Sequence, residues 1–255
     1  MSYGDLVIPT EPGTPPSPLF SGMLQFGYST NYEFRGLIPA GENPVVPVYL
    51  DMRYDLSDTD AITLGFKETV FIGDNNMRLD DELVFDLSYQ KTIHTETYLS
   101  LSGRIQDGGF AERVSSEFYN NSNNLYEVAL ALRHDIDFMP GFYIQGSVAY
   151  SFTGLQGWWY DLCIGSRARV SQDVHLGFQF GAAVTSSYWP ARNNGWQSMY
   201  LRIIGEYALT SQVGIKAFTG VYWLGHGAHN VNKRYGSQVV QGNRWIAGIG
   251  VCYSF

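Results

Sequence analysis

Counted back in steps of two from residue 255, the chain reads Phe255, Tyr253, Val251, Ile249, Ala247 and Trp245. The intervening set, Ser254, Cys252, Gly250, Gly248, Ile246 and Arg244, is mostly small, polar or charged. A period of two marks a β-strand with two unlike faces. Between Phe20 and residue 224 the same alternation recurs in eleven further runs of roughly 10 to 14 residues, the length of strands that cross a membrane at a tilt. Apolar series such as Leu83, Phe85, Leu87, Tyr89 and Tyr126, Val128, Leu130, Leu132 and Trp158, Tyr160, Leu162, Ile164 show how regular it is.

The connections alternate in kind. Five are short and polar, at 56–59, 91–95, 138–141, 171–173 and 210–212, and they are interleaved with longer ones at 36–43, 73–79, 107–123, 188–195 and 225–242, with 153–157 the short exception. Short turns at one rim and longer loops at the other characterise outer-membrane barrels. The pattern therefore predicts an all-β fold, a closed antiparallel up-and-down transmembrane β-barrel of about twelve strands, with short periplasmic turns and longer extracellular loops. The barrel is expected over 20–255, preceded by an irregular lead at 1–19 that holds five of the ten prolines and can hardly pair as a strand.

A soluble β-sandwich or lipocalin-like barrel also alternates, but keeps its apolar face inside. Here the polarity of the faces argues for the reverse. One face is almost uniformly large and apolar, with Tyr and Trp near strand ends as at membrane interfaces. The other bears Arg35, Asp51, Arg53, Lys67, Asp86, Arg104, Arg133, Asp161, Arg167, Arg202, Glu206, Lys216 and Arg244, together with Glu33, Glu82 and Glu127. So much Trp, Tyr and Phe cannot fit inside a small barrel, so the apolar face meets lipid and the charges line the lumen. Tyr49, Tyr98, Tyr143, Trp159, Tyr200 and Tyr222 share the inward parity. Glu68 alone is left with the apolar face. It falls near the outer end of strand three, where its carboxylate either reaches the headgroups or a bulge changes the parity.

Composition agrees with a wall between lipid and water. Of 255 residues, 16% are charged against about 25% in soluble chains, and 15% are aromatic. No run of 18 apolar residues exists, which excludes a spanning helix, and mean hydropathy is −0.13. A net charge of −8 argues against nucleic acid as a partner. The opening Met1-Ser2-Tyr3-Gly4 has neither the basic nor the apolar region of a secretory leader, which an outer-membrane protein needs, so a mature chain is expected.

A barrel has no edge, so the last strand must pair with the first and face lipid. Tyr253 and Phe255 then stand at the periplasmic interface, and a terminal strand ending in Phe resembles the signal read by the bacterial barrel-assembly machinery. Residues 24–55 resemble the opening of the TorF-type porins, whose first strand carries a Ser-x-Asn/Asp-Tyr-x-Phe-Arg-Gly-Leu/Ile segment, then a short loop, a proline and an alternating strand two. The matching positions are Ser29, Asn31, Tyr32, Phe34, Arg35, Gly36 and Leu37, while the spacing at Thr30 and the loop 39–43 depart from the pattern. The resemblance implies an outer-membrane barrel labelled porin by analogy, with no catalytic residues. Arg35, at the top of strand one, is expected to pair inward with Glu33 or Asp51, and less strongly to contact a solute.

Little points to catalysis. Among the histidines, His94 and His134 fall at turns, His175 faces the lumen, and His226 and His229 form a His-x-x-His in a glycine-rich loop with too few ligands for a metal. Cys163 and Cys252 point inward on strands eight and twelve, too far apart to bridge, so two separate thiols are expected. Neither a catalytic residue, a metal nor a cofactor is expected. The inward set counts nine cations against seven acids, so a net-negative chain gathers its bases inside. Charged rings set ion preference in pores. The expectation is a passive channel for small solutes, mildly anion-selective and partly closed by loops 107–123 and 225–242. The alternatives are a structural or adhesion barrel whose lumen is plugged by ion pairs, and, more remotely, a lipid-modifying enzyme.

Overall fold

The computed structural model describes residues 20–33, 44–72, 81–108, 124–153, 156–188, 193–228 and 242–255. The proline-rich lead, Arg35, His229 and most of the long loops expected from the sequence lie outside these residues. The described chain forms twelve strands. They are β1 Phe20–Ser29, β2 Val45–Asp55, β3 Asp60–Phe71, β4 Glu82–His94, β5 Thr97–Asp107, β6 Asn124–Asp135, β7 Phe142–Ser151, β8 Gly157–Arg169, β9 Val174–Tyr188, β10 Asn193–Ala208, β11 Val213–Leu224 and β12 Arg244–Ser254. Each pairs antiparallel with its neighbours in sequence, and β1 pairs with β12, from Met23 opposite Ser254 to Ser29 opposite Gly248, closing the barrel. Among the described residues no helix is long and apolar enough to cross a membrane; strands do the crossing.

Closure satisfies every ladder, and the alternation then sends one set of side chains out and the other in. Outside, Phe26, Leu64, Leu87, Leu101, Leu130, Leu162, Ile203 and Ile249 are all exposed. Inside, the polar and aromatic set is buried or half-buried, including Glu82, Gln106, Glu127, Arg133, Gln145 and Gln179. This inverts the order of a soluble protein. Aromatic residues stand at both rims of the outer face: at the periplasmic one Phe20 and Phe255 have ring centroids 6.4 Å apart and Tyr253 stacks on Phe255 at 6.1 Å, and at the other Tyr150 lies 4.8 Å from Trp158.

The periplasmic turns span residues 56–59, 95–96, 136–141, 170–173 and 209–212. In the turn between β6 and β7, Phe142 N donates to Met139 O at 2.9 Å and Gly141 takes φ +85°, which a Pro140-Gly141 centre accommodates and a side chain would not. Two boundaries differ most from the sequence pattern. β4 continues through His94, so the turn there is Thr95-Glu96 rather than 91–95. β9 and β10 run to 15 and 16 residues, which shortens the connection expected at 188–195 to four. A register shift between Trp196 and Ser198 accompanies this extension and buries both Gln197 and Ser198 on the inner side. Around Glu68 there is no bulge: the β2–β3 and β3–β4 registers run uninterrupted through it, opposite Val48 and Leu83, and its side chain stays on the outer face.

Candidate functional site

The lumen is the candidate site, and its charges come in pairs. At the periplasmic end Arg53 Nε donates to Asp55 at 2.7 Å and its Nη1 to Gln90 at 3.0 Å. Arg133 donates to Asp135 at 2.7 Å and lays its guanidinium 3.9 Å above the Tyr143 ring. Arg167 is bonded to Glu206, and Lys216 stands 3.7 Å from the same carboxylate. Higher up, Arg104 grips Asp86 with two bonds of 2.7 and 3.0 Å. Of the cations expected in the lumen, all seven that lie inward among the described residues have a carboxylate partner, while Arg244 is exposed at the outer end of β12.

The expected lumen aromatics all point inward. Tyr49 is half-buried; Tyr98, Tyr143, Trp159, Tyr200 and Tyr222 are buried. Tyr143, Cys163, Tyr200, Tyr222 and Ile246 form one cluster along the β7–β12 wall, with Phe218 against it. Glycine makes the cluster possible: a Cβ on Gly165 would collide with the Tyr143 ring, and one on Gly181 with the Tyr200 ring. Tyr200 donates to Asp161 at 3.2 Å, and Tyr143 accepts from Gln179 Nε2 at 2.8 Å. Cys163, buried, and Cys252, half-buried, form no disulfide.

In two groups the structure brings together inward residues that alternation names only singly. The carboxylate of Glu82, at the start of β4 and fully buried, receives four donors: Tyr32 Oη, Lys67 Nζ, Gln106 Nε2 at 2.8 Å and Thr69 Oγ1 at 3.3 Å. Across the lumen, Arg202 Nη2 donates to Glu33 Oε2 at 2.8 Å, and Tyr222, itself bonded to Arg202 Nε, donates to the same oxygen at 3.3 Å. Glu33 thus pairs with Arg202 on β10. The signal in the sequence is slight: Tyr32-Glu33 is an aromatic-acid pair just beyond the last alternating residue of β1, where parity stops being informative.

Among the described residues, two cavities of the interior stand out. One, about 130 Å³, lies toward the outer end and is lined by Gln25, Tyr49, Lys67, Arg202, Lys216 and Glu33 among others. The second, about 510 Å³, opens at the periplasmic end among Asp51, Arg133, Arg167, His175, Glu206 and Lys216. Gln179, Ile204 and Lys216 line both. Among the described residues no group of three or more His, Cys, Asp or Glu side chains is placed to hold a metal.

A closed twelve-stranded antiparallel barrel with an apolar exterior and an ionised interior defines an outer-membrane β-barrel protein. Solved structures of that class resemble it over nearly their whole length. The KdgM porin aligns at TM-score 0.53 and 11% identity, covering 91% of this chain and 99% of that one. The NanC porin aligns at 0.53 and 9%, over 91% and 98%. LpxR from Salmonella typhimurium aligns equally well, at 0.53 and 9% over 91% and 99%. At these identities the likeness is one of fold. No family model matches the chain. No curated protein matches it either.

Proposed function

We propose that this protein is an outer-membrane channel through which small hydrophilic solutes pass passively, with a mild preference for anions. The observation that carries the reading is the pair of neighbouring cavities with a partly shared lining: both are lined by ionised and amide side chains, and among its described lining residues the outer one presents Lys67, Arg202 and Lys216 against the acid Glu33. The pairing of each cation with a carboxylate keeps the preference mild. KdgM, a porin of like fold, has been captured in complex with oligogalacturonate, a polycarboxylate; that supports acidic saccharides as the first solutes to try. The TorF-type resemblance of residues 24–55 points the same way. In this reading the barrel is not an enzyme. It sits in outer-membrane lipid, and Tyr253 and Phe255 present the signal to the assembly machinery.

Planar-bilayer recording tests it. Discrete conductance steps are expected, with a reversal potential in a KCl gradient displaced toward the chloride equilibrium potential. Displacement toward potassium overturns the anion preference. Absence of steps favours the second reading, a structural or adhesion barrel with a plugged lumen, for which the ion pairs and the aromatic cluster along β7–β12 are the specific support.

A further inference from the structure

The order of strands around the barrel places β4 and β10 six positions apart in a ring of twelve, on opposite walls. Two consecutive residues connect them. Beyond β1, Thr30 and Asn31 still follow β12, through Thr30 N to Ala247 O at 2.9 Å and Asn31 Nδ2 to Trp245 O at 3.4 Å. Then the chain turns inward. Tyr32 reaches to one side, its ring 5.0 Å from that of Phe71 on β3 and its hydroxyl on Glu82 of β4. Glu33 reaches to the other, to Arg202 on β10 and Tyr222 on β11. Twelve strands tilted near 40° enclose a backbone diameter of roughly 24 Å. Two extended residues with Tyr and Glu side chains, met by Glu82 and Arg202 from the walls, cover that distance.

We infer that Tyr32 and Glu33 form a crossbar over the lumen, and that Glu33 sets the ion preference of the passage while Tyr32 sets its size limit. This rests on the channel reading above. Both ends are anchored in ways an exposed loop is not: Tyr32 is buried and is one of four donors to a fully buried carboxylate, and Glu33 takes two donors on one oxygen. The outer cavity borders this bar, with Tyr32 and Glu33 in its lining and Tyr49, Lys67 and Lys216 facing them. A solute moving between the outer cavity and the periplasmic one passes beside the crossbar. Glu33 is the acid that offsets Arg202 there, so removing its charge takes away the carboxylate that neutralises that guanidinium.

The test uses the full-length protein folded in lipid, with heat-modified gel mobility as the check on folding. Glu33→Gln is expected to move the KCl-gradient reversal potential further toward chloride. Tyr32→Ala is expected to raise single-channel conductance about twofold or more and to admit larger neutral saccharides in liposome swelling. Tyr32→Phe, which keeps the ring but gives up the bond to Glu82, serves if the alanine variant does not fold, and is expected to change conductance in the same direction by less. Wild-type conductance, selectivity and size limit in folded variants overturn the crossbar and leave the channel reading intact. A silent wild type with a conducting Tyr32→Ala or Glu33→Gln variant upholds the crossbar, as a closure, and overturns passive passage. If wild type and variants are all silent, both fall.

Discussion

The ring of Phe255 lies against the Cα of Gly22, on the outer face at the junction where the barrel closes. The two residues exchange backbone bonds, Gly22 N to Phe255 O at 2.8 Å and Phe255 N to Gly22 O at 3.0 Å, so they stand directly opposite each other in the ladder. A Cβ on Gly22 would come within 2.3 Å of the ring. Glycine here lets an aromatic ring pack over the junction between the first and last strands and join Phe20 and Tyr253 at the interface. Gly22→Ala is expected to displace the ring and destabilise the folded barrel by about 1–3 kcal/mol, as overpacking does. In urea unfolding from lipid vesicles, adding Phe255→Ala to Gly22→Ala should cost much less than the sum of the two single changes. Additive losses would show that the ring and the glycine are independent.

Lys67 and Glu82 make the second prediction. Glu82 is fully buried and Lys67 retains some exposure, so the pair sits where losing one partner strands the other. Glu82→Gln is expected to destabilise the barrel by about 3 kcal/mol, the lower part of the range for breaking a buried pair because water still reaches Lys67. The double change Lys67→Met/Glu82→Gln should recover most of that loss, since the glutamine oxygen can accept from Tyr32 and Gln106 while its amide donates to the Thr69 hydroxyl. Denaturant midpoints for the three variants decide it; a double variant as weak as Glu82→Gln alone contradicts the account.

Much of this architecture is written in the alternation because lipid allows few exceptions. Leu87, Leu130 and Leu162 face hydrocarbon and must be apolar, while their neighbours in sequence are free to be polar. Strand number, face assignment and the inward positions of Arg104, Arg133, Tyr200 and Tyr222 follow from that constraint alone. Which inward residues meet is another matter. Arg202 and Glu33 are 169 residues apart, and their pairing depends on where the chain leaves β1, beyond the reach of a two-residue period. The extension of β9 and β10 escaped the pattern for a related reason: around the register shift at Gln197 and Ser198 two consecutive residues turn inward, so alternation fails there although pairing continues. Gly165 and Gly181 look like weak points in strands until the Tyr143 and Tyr200 rings that cover them are known.

Glu68 is the carboxylate that breaks the apolar face of β3. It lies three residues before Phe71, the end of the strand, hence about 10 Å of strand length from the rim. That depth is close to the interface, where a lipid-facing charge costs only about 0–1 kcal/mol. Glu68→Leu is therefore expected to leave stability unchanged or raise it by no more than about 1 kcal/mol. The same charge deeper in the wall, as in Leu64→Glu, should cost distinctly more. Unfolding titrations in vesicles of matched thickness compare the two sites; equal costs would mean that Glu68 lies deeper than its position along β3 places it.

The periplasmic turns carry the pH dependence. Glu96, in the turn between β4 and β5, is brought to Asp137, in the turn between β6 and β7, by the pairing of Thr97 with His134 and by Asp135 N donating to Glu96 O at 2.8 Å. Sharing a hydrogen bond with the Asp137 carboxyl holds the Glu96 pKa above its ordinary value, and the nearby His94 and His134 only partly oppose this. A carboxyl whose pKa is higher folded than unfolded binds more protons in the folded state, so stability falls as pH rises. The contribution is fully present below the ordinary glutamate pKa and is lost as pH climbs through the raised one, where two carboxylates come to face each other. Hydrogen exchange at the amides of 95–97 and 136–138, followed between about pH 4 and pH 8, should show protection declining across the carboxylate range after correction for the intrinsic exchange rate. Glu96→Gln, which keeps a hydrogen-bonding side chain but cannot ionise, should flatten that decline. An unchanged slope in the glutamine variant would place the titration on another group.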